Sequence, residues 1–164
     1  KIVNKSYLLK EKVTTPLVES EDSLYRLYLS DMGLFTYQGG LNAKNFILDK
    51  TNAFSGIYFE NYISTELVAR DIKLFYWKGK RDSELEFIID LDSKIIPIDV
   101  KKGRGALNSL NEFRYHNKKE LAIKVSKNQY GYKKDEQILT IPFSYLALML
   151  NDIKENNELE FSID

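Results

Sequence analysis

The sequence predicts an α/β fold, a mixed β-sheet flanked by helices, and three observations carry that prediction. Residues 84–91 and 94–101 each alternate between apolar and polar with period two, as half-buried strands do. Residues 54–69 hold apolar side chains at helical spacing almost all the way round, with no Pro and an early Gly, as a largely buried helix does. Strand-like and helix-like runs then succeed one another along the chain, the pattern of a layered α/β domain.

In chain order, residues 1–20 read as a short strand pair or extended arm, and 24–29 as a strand or helix leading into Asp31-Met32-Gly33. The helix of 54–69 precedes strands over 72–78, 84–91 and 94–101, a helix around 107–116 and a strand over 121–126. One more strand is expected over 137–141, with Pro142 starting a helix through Leu150, since Pro suits the first helical turn. This gives three regions: an amino-terminal arm, or remnant of a preceding region, over 1–30, a main domain over 31–150, and a polar tail over 151–164.

The chemistry is concentrated in 84–101. Leu85, Phe87, Ile89 and Leu91 are expected on one face and Glu84, Glu86, Ile88 and Asp90 on the other; the next run places Ile96, Ile98 and Val100 opposite Ile95, Pro97, Asp99 and Lys101. Asp92-Ser93 suits a tight antiparallel turn. A loop centred there sets Glu86 opposite Asp99 and Glu84 opposite Lys101, whereas a three-residue loop would put the acids on unmatched faces. Opposed acids repel unless a cation lies between them, and Mg²⁺ or Mn²⁺ takes oxygen ligands of this kind. Glu86 and Asp99 are thus candidate metal ligands. An ordinary solvated strand face carries the same residue types, and the hairpin alone does not choose.

A third acid lies upstream. Glu60 has Ile57, Ile63 and Leu67 at i−3, i+3 and i+7, so its carboxylate emerges from an apolar stripe, away from Asn61 and Thr65 on the polar side. A buried acid needs a partner, which would be a lysine, a loop that it caps, or the same cation as Glu86 and Asp99.

With these residues in place, the chain resembles the PD-(D/E)XK, restriction-endonuclease-like superfamily, whose core runs αβββαβ. More closely, Gly56-Ile57-Tyr58-Phe59-Glu60-Asn61-Tyr62-Ile63, Leu74-Phe75-Tyr76-Trp77, Glu84-Leu85-Glu86-Phe87-Ile88-Ile89 and Ile96-Pro97-Ile98-Asp99-Val100-Lys101 are similar to a carboxy-terminal domain of unknown function carried by bacterial and archaeal AAA+ ATPases. The likeness runs from about Pro16 to Leu150. It implies a Mg²⁺- or Mn²⁺-dependent nuclease acting on DNA, with catalytic residues Glu60, Glu86, Asp99 and Lys101, Lys101 orienting water or contacting phosphate. Glu86 stands where the superfamily usually has Asp, and Asp99 where it usually has Glu. The alternative is a catalytically silent interaction module that binds its ATPase domain, nucleic acid or a protein partner on the same fold.

Composition bounds the remainder. The 164 residues, 43% hydrophobic and 29% charged, suffice for one well-buried domain. The absence of Cys excludes disulfides, thiolate metal sites and Cys nucleophiles, and a single His, His116, excludes a His-rich metal site. Neither a signal peptide nor an apolar run approaching about 18 residues is visible, so a reducing cytoplasmic setting is expected. A net charge of zero argues against a strongly cationic surface. Lys80 and Arg81, and Lys102 and Arg104, form two local basic turns that are candidate nucleic-acid contacts or simply solvated turns. A first residue of Lys fits a fragment, and no Gly-x-x-x-x-Gly-Lys-Ser/Thr occurs, so the preceding P-loop ATPase and winged-helix region that the resemblance implies is expected outside this sequence.

Overall fold

β-Branched and aromatic residues fill the runs that become strands, and among the described residues eight strands pair into one mixed sheet. The computed structural model describes residues 2–10, 12–19, 24–40, 54–80, 83–91, 93–101, 105–117, 121–127 and 130–156. In order these form β1 (Val3–Leu9), β2 (Tyr25–Leu29), α1 (Met32–Gln38), α2 (Phe54–Val68), β3 (Leu74–Lys78), β4 (Glu84–Leu91), β5 (Lys94–Val100), α3 (Asn108–His116), β6 (Ala122–Ser126), β7 (Gly131–Lys133), β8 (Ile138–Pro142) and α4 (Phe143–Asn156).

The strands lie in the order β2-β1-β3-β4-β5-β6-β8-β7. Pairings β1/β3, β5/β6 and β6/β8 are parallel, and the rest antiparallel. The amino-terminal residues are therefore part of the sheet: β1 and β2 both precede residue 30, and β1 pairs directly with β3. At the other end α4 continues past residue 150 to Asn156, while 157–164 lie outside the described residues. Helix α1 and strand β7 leave no clear trace in the sequence pattern. Seven residues including Gly33 are too few for a visible period, yet Asp31 caps α1 by accepting the Leu34 N–H at 2.6 Å.

Both faces of the sheet are covered. Phe59, Ile63 and Leu67 of α2 and Phe143, Leu146 and Leu150 of α4 pack on Phe87, Ile89, Ile96, Ile98, Val100, Ile123 and Val125. On the other face Leu110 and Phe113 of α3, with Val13 and Leu17, pack on Phe75, Trp77, Leu85 and Ile88. At roughly 25 cal/mol per Å² of apolar area removed from water, these two layers are the main stabilising term.

The hairpin keeps its expected register from Leu91↔Lys94 to Phe87↔Ile98. Ser93 takes φ 61°, a left-handed value typical of tight two-residue turns; Asp92 lies outside the described residues. One expectation is corrected. Leu85 does not share a core with Phe87 and Ile89 but joins Ile88 on the α3 face. The cause is a register shift between β3 and β4: Phe75 pairs with Ile88 and Trp77 with Leu85, so Tyr76 spans both Glu86 and Phe87. Such a bulge adds one residue to β4 and breaks the alternation at Glu86.

Candidate active site

β5 ends in Asp99-Val100, and Lys101 comes next with its N–H donating to Val125 O at 2.9 Å, which holds the chain beside β6 as it leaves the sheet. Asp99 is wholly buried. The Lys101 ammonium lies 2.8 Å from its Oδ1, while Oδ2 is buried with no hydrogen-bond partner. Burial pushes the Asp99 carboxyl above its usual range, against the pull of Lys101 and Lys124.

Glu86 occupies the bulge and accepts the Val100 N–H on Oε2 at 3.1 Å, one residue beyond Asp99. Burial pushes its carboxyl up to about 7; Lys101 opposes that rise, the negative field of Asp99 adds to it, and the Val100 N–H opposes it. Glu60, on α2, is raised by burial and lowered by Arg26 and Lys101. Burial would lower Lys101, but Asp99, Glu86 and Glu60 outweigh it and the ammonium titrates above its ordinary range. Thus three acids from α2, β4 and β5 lie in the field of one lysine. Titratable groups perturbed by burial and specific charges gather at functional sites more often than elsewhere.

The acids do not share one environment. Glu86 and Glu60 line an open cleft of about 610 Å³, with Glu84, Arg26, Tyr28, Phe35 and Ile57, whereas Asp99 is wholly buried and is not among its lining residues. Glu84 pairs with Arg26 of β2. The expected polar side of α2 is also corrected. Asn61 is 1% exposed, and its amide binds the backbone of Leu29 twice, accepting from N at 2.7 Å and donating to O at 2.9 Å. A backbone edge left unpaired inside the protein is costly, and this amide supplies the missing partner.

Of the basic turn residues, Lys80 is exposed, donates its backbone N–H to Glu112 Oε1 at 2.7 Å and does not line the cleft. Arg81, Lys102 and Arg104 lie outside the described residues.

Residues 55–146 match DUF4143, a domain of unknown function. The chain belongs to that family. No curated protein and no solved structure matches it. The matched part of this DUF4143 domain contains Glu60, Glu86, Asp99 and Lys101, while Arg26 lies before it. No described helix is long and apolar enough to cross a membrane.

Two further residues adjoin this cluster in the DUF4143 domain. Lys124 of β6 is 8% exposed, pairs in register with Asp99 and donates its ammonium to Gly105 O at 3.3 Å. Gly105 abuts Lys101: a Cβ there would lie 2.7 Å from Lys101 Cδ. The signal for Lys124 was available, as a lysine inside an otherwise uncharged strand, Ala122-Ile123-Lys124-Val125-Ser126. The signal for Gly105 was not, because its role depends on a side chain four residues away.

Proposed function

We propose that this DUF4143 domain is a metal-dependent nuclease domain that hydrolyses DNA phosphodiester bonds, on a PD-(D/E)XK-like core and as part of a larger ATPase. The observation that carries this reading is the Lys101 ammonium held 2.8 Å from buried Asp99 within the field of Glu86 and Glu60. The run of helix, three strands, helix and strand from 54 to 126 supports it.

The acids present are of the kind that a hard divalent cation takes. Asp99 Oδ2 is buried without a partner, and carboxylate oxygens suit Mg²⁺ or Mn²⁺. Glu86 and Asp99 would hold the ion, which when bound supplies Lewis acidity and a water of lowered pKa. Asp99 fixes the direction of the Lys101 stem, and Gly105 leaves it room. Lys101 offers donors to a phosphate oxygen or the attacking water, where negative charge develops. Glu86 must release its proton to serve as a ligand, and Glu60 lines the same cleft as a further acceptor for water.

A second reading, the catalytically silent interaction module, is favoured by one observation. Among the described residues no three His, Asp or Glu side chains form a group that could hold a metal, and Lys101 already neutralises Asp99. Its partner would be the ATPase domain of a longer chain, nucleic acid or another protein.

Nicking of plasmid and cutting of single-stranded DNA in Mg²⁺ or Mn²⁺ separate the two. The nuclease reading expects cutting that Lys101→Ala abolishes while circular dichroism stays native. Equal cutting by both proteins would mark a contaminant, and no cutting, with the longer ATPase-containing protein also tested, favours the module.

A further inference from the structure

One wall of the cleft plays no part in the metal-dependent chemistry. It is built by β2 and α1, and Arg26 is the only basic side chain among the described lining residues, against Glu60, Glu84 and Glu86. Arg26 is tightly oriented for a surface arginine. Its guanidinium pairs with Glu84 and lies 4.3 Å over the centroid of the Tyr76 ring, yet the side chain keeps 28% exposure. A guanidinium with one face fixed on a ring still presents donors along its edge, in the fork geometry that suits phosphate.

Beside this cation the cleft offers apolar surface. Ile57 is 52% exposed, Leu27 is 56% exposed, and Phe35 is half-buried with its ring edge-on to Tyr58. Exposed apolar side chains next to a fixed cation suit a ligand with a flat apolar part and an anion a few ångströms away. The volume, about 610 Å³, is that of a small-molecule site. A base-paired duplex presents phosphates but keeps its base faces stacked inside, whereas a single strand offers both parts together.

We propose that this cleft is a subsite for one unpaired nucleotide of a single-stranded nucleic acid, with its phosphate on Arg26 and its base against Phe35 and Ile57. The inference rests on the nuclease reading only for the cutting step, not for binding. It gives the domain a preference for single strands or frayed ends over closed duplex. Glu84 holds Arg26 in place in the free protein and competes with the phosphate for it.

The test is fluorescence anisotropy with labelled short oligothymidylate, oligouridylate and a blunt duplex of the same length, in Ca²⁺ to hold back cutting, over a series of salt concentrations. Wild type should bind the single strands at least about ten-fold more tightly than the duplex, and the two oligonucleotides show whether DNA or RNA is preferred. Arg26→Ala should lose about ten-fold in affinity, the scale of a hydrogen bond to a charged group, and Arg26→Lys should recover part of it. The slope of log K against log salt should become shallower by about 0.7, one single-strand phosphate contact. Unchanged affinity and slope in Arg26→Ala, or duplex bound as tightly as single strand, overturns the subsite. Should Arg26→Ala melt below the assay temperature, Glu84→Gln decides: removing the competitor should tighten the oligonucleotide, and equal or weaker binding overturns the proposal. Arg26-dependent binding without cutting in Mg²⁺ or Mn²⁺ keeps the subsite and removes the nuclease reading. Duplex cutting that Arg26→Ala leaves untouched does the reverse.

Discussion

Lys101 places its ammonium 2.8 Å from Oδ1 of Asp99, a carboxylate with no exposed surface, two residues before it at the end of β5. The pair makes a buried charge tolerable in the protein without metal, since an isolated carboxylate at that depth would take up a proton. On the proposed function it also sets a choice: the same carboxylate would serve either the ammonium or a metal ion.

Metal binding should show as stability. A ligand that binds only the folded state raises stability by RT ln(1 + [L]/Kd), so millimolar Mg²⁺ or Mn²⁺ should raise the melting temperature of the wild type and leave Glu86→Gln nearly unmoved. Thermal melts at constant ionic strength check this, because general screening then cancels. Identical metal responses in the two proteins would remove Glu86 as an important ligand.

The pH dependence comes from the raised carboxyl of Glu86. Its folded pKa, about 7, exceeds its ordinary 4.5, so the folded state holds this proton more tightly than the unfolded chain. The stabilisation is full below about pH 4.5 and lost as pH rises through 7; Asp99 and Glu60 act in the same direction. At pH 8 and without metal, Glu86→Gln should therefore equal or exceed the wild type by about 1 to 3 kcal/mol, given 1.36 kcal/mol per pKa unit. At pH 4 the gap should close. Urea melts across this range measure it, and a constant difference between the two proteins would show that Glu86 does not titrate there.

Asn61 ties α2 to β2 and α1 through Leu29 N, Leu29 O and Met32 Sδ. Asn61→Ala leaves the Leu29 groups without that partner and should cost about 1 to 3 kcal/mol. Asn61→Asp should cost more, since it replaces a donor by a buried charge. Hydrogen exchange should locate the effect at the Leu29 amide; fast exchange at Leu29 in the wild type would contradict the bond.

Gly105→Ala changes no charge. Its Cβ would meet Lys101 Cδ at 2.7 Å, so the lysine stem must move. If Lys101 does the work assigned to it, the variant should lose most metal-dependent cutting while its stability falls by no more than about 1 to 3 kcal/mol, the usual cost of overpacking. Cutting assays beside urea melts check both halves. Full activity would show that the position of Lys101 is not decisive.

Local physics made much of the molecule legible. Two alternating runs around Asp92-Ser93 suggested an antiparallel hairpin, and the observed register from Leu91↔Lys94 to Phe87↔Ile98 is the one that a loop centred there sets; β4 spans the expected residues 84–91. The apolar spacing of 54–69 gave α2, because a helix's buried face is written at i+3 and i+4. Glu60 stood out for a local reason, a charge set beside apolar positions, whereas Lys101 stood out by its place next to the acids and by the resemblance.

What the sequence could not carry depends on partners far along the chain. The bulge at Glu86 exists because β3 pairs with β4 across Tyr76, and it moves Leu85 to the opposite core. Asn61 looks polar and solvated on a helical wheel, but β2 leaves the backbone of Leu29 open beside it. Arg26 meets Glu84 only because β1 enters the sheet between β2 and β3. Sequence alone determined the long periodic segments, α2 and the strands of 84–101, and which charges sit among apolar neighbours, since those depend on period and turn chemistry within a few residues, whereas α1 and β7 were too short to show a period. The tertiary structure decided strand order, the bulge and which acid meets which cation, because a charge or backbone group removed from water takes whatever partner the packed layers bring to it.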